Sequence, residues 1–144
     1  MSTRSLVGGL TDSGTYAVYV HNDGYPEGRL PELDAIIERD GAAKALATIL
    51  SAREGGWSVL DANTKLGRSS SLGDRGRVVE GYGVAYTDAP DVPPLRFPEE
   101  YSTDAWIEYV YLISEVGPVK FVNVPHGTPP EEWSWKEHHI GDVS

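Results

Sequence analysis

Between residues 15 and 37 the chain changes its hydrophobic period, and that change limits the folds open to it. "TYAVYVH" alternates, with Tyr16, Val18 and Val20 on one side and Ala17, Tyr19 and His21 on the other. A period of two is a strand. A dense group of turn residues follows: His21, Asn22, Asp23, Gly24, Tyr25, Pro26, Glu27 and Gly28. Leu30, Leu33, Ile36 and Ile37 then recur at helical spacing, and Pro31 suits a first helical turn, where a missing N–H costs nothing. The helix is therefore predicted to begin at Pro31. Asp40-Gly41 interrupts it. A second pattern runs through Ala42, Ala45, Leu46, Ile49 and Leu50 until Gly55-Gly56, so two helices, or one kinked helix, cover 31–54.

Around this unit the chain reads as strands. "RSLVGGL" at 4–10 is a first strand, weakened by Gly8 and Gly9, that the turn "TDSGT" folds into a hairpin with the second. "WSVLDA" is a candidate strand, "GRSSSLGDRG" a loop, and "RVVEGYGVAYTD" a strand whose glycines mark a bulge. "APDVPPLRFPEE" carries four prolines and is expected to be an extended connector. "AWIEYVYLIS" and "PVKFVNVP", joined by "EVGP", form a late hairpin, with Ile107, Tyr109, Tyr111 and Ile113 on one face and Trp106, Val110 and Leu112 on the other. Trp133 and Trp135 on the polar tail 126–144 imply that the tail packs back on the body. The order implies a single α+β domain over 1–144: an antiparallel sheet with an N-terminal β-hairpin, a helix pair on one face and a C-terminal β-hairpin.

Composition excludes several classes. At 144 residues, with 40% hydrophobic and 24% charged positions, the chain is an ordinary globular one with enough length for a real core. It has no cysteine, hence no disulfide, thiolate metal site or cysteine nucleophile. No apolar run reaches the length of a membrane span, and "MSTRSLVGGL" is too short and polar for a signal peptide. A cytoplasmic location is expected. The net charge of −10 opposes binding to nucleic acid or anionic membranes. Acidic residues mixed with prolines and aromatics also argue against a DNA mimic.

Two segments could hold an anion. In the turn cluster, helix-start N–H groups at 31–33, Tyr25 as a stacking ring, Arg29 as a charge, and Asp23 and Glu27 beside them would form a nucleotide-sized pocket. The same residues also have a structural reading: Asn22-Asp23-Gly24 is turn chemistry, and Glu27 favours a helix N-terminus. The second segment, "KLGRSSSLGDRGR", gathers Lys65, Arg68, Arg75 and Arg77 among serines and glycines, which suits phosphate, or a solvated loop. It lacks P-loop spacing. The prediction joins both segments on one anionic ligand. His126, His138 and His139 lack ligand spacing and read as solvent-exposed, so no metal and no cofactor are expected. Ser2 or Thr3 as a terminal nucleophile has no activating partner in the sequence.

"TRSLVG", the alternating strand and "DGYPEG", with "WIEYVYLISEVGPVKFVNV" later, resemble a family of small uncharacterised accessory proteins of tailed phages. The resemblance covers about the first 50 residues and the late hairpin. Many members of that family carry a tryptophan before Asp-Gly-Tyr-Pro, where this chain has Asn22. The resemblance implies a phage accessory protein working in a bacterial cytoplasm. With no catalytic constellation and eight tyrosines and four tryptophans, the expected function is a non-enzymatic binding protein in host takeover or counter-defence. Its partner would be a host bacterial protein or a small anionic nucleotide-like signal. The alternatives are a small nucleotide hydrolase or transferase using Glu27, Asp23 or His21, and a virion structural protein.

Overall fold

A computed structural model of the chain describes residues 3–22, 24–52, 55–62, 76–86, 93–101, 107–115, 118–125 and 127–139. The elements are β1 (Ser5–Thr11), β2 (Gly14–Val20), α1 (Pro26–Asp40), α2 (Ala42–Leu50), β3 (Trp57–Leu60), β4 (Gly76–Val79), β5 (Gly83–Tyr86), β6 (Leu95–Arg96), β7 (Tyr109–Ile113), β8 (Val119–Asn123) and β9 (Lys136–His138). The protein is α+β, with one sheet ordered β4-β5-β3-β2-β1-β7-β8-β9.

The N-terminal hairpin pairs Ser5 with Val20 and Thr11 with Gly14, and the late hairpin pairs Tyr109 with Asn123. The sheet is mixed, not antiparallel throughout. β1 runs parallel to β7, Ser5 opposite Tyr109, and β2 runs parallel to β3 through Val20 and Trp57. The second pairing follows from the helix pair, because a strand that returns through helices lies parallel to its predecessor. β3 takes only the end of the β2 edge. β6 pairs with its beginning, at Tyr16 and Ala17.

The two faces of the sheet bury different partners. Val7, Val18, Val20, Tyr111 and Ile113 meet Leu33, Ile36 and Ile37 of α1 and Ala45, Leu46 and Ile49 of α2. This is the helix-covered core, and the apolar stripes at i, i+3 and i+4 point both helices onto it. Trp57 fills its centre and donates its indole N–H to the Ile49 carbonyl at 2.9 Å, in the last turn of α2. Leu6, Ala17, Val110 and Val122 lie on the opposite face under Phe97 and Trp133. Among the described residues no α-helix covers that face. Its lid is the connector 95–101 and the tail segment around a 3-10 turn at Pro130–Glu132.

Four expectations change. Helix α1 starts at Pro26, not Pro31: Pro26 occupies the first turn, and the Tyr25 carbonyl accepts from the Gly28 and Arg29 amides at 3.0 and 2.9 Å. Two prolines five residues apart both suit a first turn, and Pro31 is accommodated inside the helix on its exposed side. "RVVEGYGVAY" is two strands, not one, because Gly81 at φ 80° turns the chain between β4 and β5. The left-handed conformation suits glycine. The bulge lies instead in β3, between Trp57 and Val59. Ile107 precedes β7 and joins the face of Val110 rather than that of Tyr111. Trp106 lies outside the described residues.

Candidate functional site

The described part of the turn cluster is a partly buried polar joint. The His21 and Asn22 amides donate to the Trp57 and Ser58 carbonyls at 2.9 Å, and the Asn22 side chain donates to the Ser58 hydroxyl at 3.2 Å. The Gly24 amide donates to the Thr3 carbonyl at 3.0 Å, while the Tyr111 hydroxyl donates to the Gly24 carbonyl at 2.5 Å. Burial pushes the Tyr111 hydroxyl far above the ordinary tyrosine range, so it stays a donor. Tyr111 also stacks on Phe121, with centroids 5.9 Å apart. The joint thus ties β1, β2, β3 and β7 to the start of α1.

Arg29 belongs to this joint. It is 0% exposed, and one guanidinium nitrogen donates to the Asn22 carbonyl at 2.6 Å. The structure therefore withdraws Arg29 from any surface anion pocket. The helix-start donors expected at 31–33 lie within α1, and the actual start is led by Pro26, which has no N–H. Tyr25 is 40% exposed and Glu27 is exposed beside it. Asp23, Lys65, Arg68 and Arg75 lie outside the described residues. Arg77 is exposed on β4 and occupies the same cross-sheet row as Val20, through Ala85 and Trp57. Three strand spacings separate them, about 14 Å. Arg77 is thus exposed toward one end of the sheet, whereas Arg29 is buried.

Gly24 is where this joint is tightest. A Cβ there would sit 2.6 Å from the Thr3 carbonyl oxygen and 2.9 Å from the Ser5 Cβ. Gly24→Ala must push the β1 backbone away, and overpacking of this kind costs about 1–3 kcal/mol. Chemical denaturation should show that loss, whereas Tyr25→Ala, at the exposed neighbouring position, should change stability by about 0.5 kcal/mol or less.

His138 corrects the solvent-exposed reading of the tail histidines. Its Nε2 lies 2.9 Å from both carboxylate oxygens of Asp34, joining β9 to α1, and both side chains are largely covered. His139 is exposed, and His126 lies outside the described residues. A second fastener joins the end of α1 to the β4–β5 turn. Arg39 makes two bonds to Asp40 and donates to the Ala62 and Gly81 carbonyls, while the Tyr82 hydroxyl donates to Asp40. The Arg39 and Tyr82 hydrogen bonds hold the Asp40 carboxyl well below the usual carboxylate range. Among the described residues, no group of three histidine, aspartate or glutamate side chains could hold a metal ion.

A concave site lies on the face opposite the helices. Leu112 and Lys120 of the late hairpin form its floor, with Thr15 of β2 and Glu137 of β9 beside them. Phe97 and Pro98 make one wall, and Pro130, Glu131 and Trp135 make the other. The volume is about 690 Å³. That falls in the range of small-ligand pockets, roughly 300–1,000 Å³. A smaller hollow of about 360 Å³ shares Thr15, Leu112 and Lys120 and continues past Leu10, which is 65% exposed.

The walls are set by aromatic packing. Phe97 meets Trp135 edge to face at 6.1 Å and Tyr101 at 5.8 Å. Trp133 packs on Tyr101 at 5.3 Å and donates its indole N–H to the Thr128 carbonyl at 2.9 Å. Edge-to-face rings are favoured by their quadrupoles. Trp133 is 6% exposed and acts as the anchor; Trp135 is only half-buried and presents ring surface to the groove. Two Pro-Glu-Glu segments, Pro98-Glu99-Glu100 and Pro130-Glu131-Glu132, border the walls, and all four glutamates are exposed. Sequence reading missed this site. The tryptophan pair and the repeated Pro-Glu-Glu were its only local signals.

No family model, curated protein or solved structure matches the chain. Among the described residues, no helix is long and apolar enough to cross a membrane.

Proposed function

We propose that this chain is a non-enzymatic binding protein that holds a segment of a partner protein in the aromatic groove between Phe97 and Trp135. The observation that carries the reading is the groove itself: an apolar floor at Leu112, half-buried aromatic surface at Trp135 and a charged rim. Sites of this kind combine apolar contact area with a few polar groups that fix orientation. Of the two partners expected from sequence, a bacterial protein is favoured over an anionic nucleotide. Glu131 and Glu137 outnumber Lys120 in the lining, and Arg29 is sealed in the core. The resemblance carried by "TRSLVG" and "DGYPEG" supports placing this activity in a phage accessory protein that acts on its host, in takeover or counter-defence.

Leu112→Lys tests the reading, because it places a charge on the groove floor at a half-buried position. The substitution should lower the melting temperature by no more than about 5 °C. A bacterial protein recovered by the unaltered chain in affinity capture should be lost with Leu112→Lys and retained with Tyr25→Ala. Capture that survives Leu112→Lys would place the partner on another surface.

A further inference from the structure

We infer that the groove selects an extended partner segment carrying arginine or lysine, whose cationic side chain lies along Trp135 and reaches the carboxylates of Glu131 and Glu137. This rests on the groove being the binding site and adds the chemistry of what enters it.

Charge complementarity carries the inference. Among the described residues Lys120 is the one cation in the groove lining, and it stands directly opposite Glu137 across the β8–β9 pairing. Opposite charges at that register offset one another. Glu131 adds a second carboxylate to the lining, with the exposed Glu132 beside it in the bordering segment. Arg96, in the connector, lies with its guanidinium 5.9 Å from the Tyr16 ring centroid and also within electrostatic reach of Glu99 and Glu100, and its amide donates to the Glu100 carboxylate, so those two acids are partly offset and the groove's own charge rests on Glu131 and Glu137. The groove is therefore an aromatic-walled hollow with a negative rim on a chain of net charge −10.

A guanidinium or ammonium over an indole face is attracted by the ring quadrupole, and its methylene stem covers apolar surface. Pro98 and Pro130 on the facing walls add apolar surface without adding backbone N–H groups. An anionic group would face the glutamates, and a neutral one would leave them unused.

The test follows amide and indole NMR signals of the full chain during titration with acetyl-Ala-Arg-Ala-Arg-Ala-amide, acetyl-Ala-Glu-Ala-Glu-Ala-amide and indole. The arginine peptide should shift the Trp135 indole and Leu112 amide signals, and the glutamate peptide should not. Glu131→Gln with Glu137→Gln should weaken the arginine peptide at least tenfold. Asp12→Asn with Glu80→Gln removes two exposed charges elsewhere and should weaken it less than twofold. Equal weakening by both pairs would reduce the effect to bulk charge and overturn the inference. Glutamate-peptide binding at the groove would overturn it as well. Indole shifts at Trp135 and Leu112 without arginine-peptide binding would remove the basic segment and leave the groove as a binding site. No shift with any probe would remove both.

Discussion

Val110→Asp is expected to cost about 3–5 kcal/mol at neutral pH, a large share of the stability of the fold. Val110 is 0% exposed on β7, between Leu6 of β1 and Val122 of β8. The buried residues that share its cluster are Leu6, Ala17, Phe97, Ile107, Val122 and Trp133, and none of them offers a charge or a hydroxyl. A carboxylate placed there sits among buried residues without a cation, so it must stay charged without an ionic partner or take up a proton. Total stability of a domain this size is about 5–15 kcal/mol. Urea titration at pH 8 should therefore show a midpoint far below that of the unaltered chain. The sign of the pH dependence follows from burial, which raises the carboxyl pKa in the folded state and favours the neutral form. The difference from the unaltered chain should narrow as pH falls from 8 toward 4. A midpoint equal to that of the unaltered chain would remove β7 from the core.

Trp57→Ala should cost a similar amount, about 3–5 kcal/mol for the lost side chain and its cavity. The residue is 0% exposed at the centre of the helix-covered core, and it opens β3 opposite both Val20 and Ala85. Truncation also removes the donor to the Ile49 carbonyl in the last turn of α2. An acceptor left buried there adds about 1–3 kcal/mol. Trp57→Phe should separate the two contributions, because it keeps most of the volume and loses only the hydrogen bond. Differential scanning calorimetry of both variants makes the comparison. Equal losses would assign the whole effect to the indole N–H.

Where the chain is locally periodic, its fold was legible. The alternation at 15–21 and 109–113 marks β2 and β7, and the break at Asp40-Gly41 separates α1 from α2. The parallel neighbours were not legible, since nothing near Ser5 announces that Tyr109 will lie beside it. Turn residues were ambiguous for a different reason. Pro26 and Pro31 each satisfy the same rule for a helix start, and only the Tyr25 carbonyl, bonded by Gly28 and Arg29, decides between them. Arg29 misled because type alone places an arginine at a surface; here the joint around Asn22 and Tyr111 encloses it. The groove was hidden for lack of any contiguous motif. Thr15, Phe97, Leu112, Lys120 and Trp135 come from five separate stretches of chain and meet only when the sheet is complete.

The pairing of β1 with β7 has a consequence for how the protein is made. β1 is an inner strand of the finished sheet, but one of its two neighbours is encoded about 100 residues later, at Tyr109–Ile113. Until that segment leaves the ribosome, the nascent chain holds an N-terminal hairpin with one flank of β1 open. Exposed strand flanks recruit other strands, and contacts of long sequence separation form slowly. The chain therefore passes through a vulnerable interval set by translation, and it ends only when the last third of the sequence emerges. Fragments that stop before Tyr109 should be cleared or should aggregate, even though they contain both helices and the whole turn cluster.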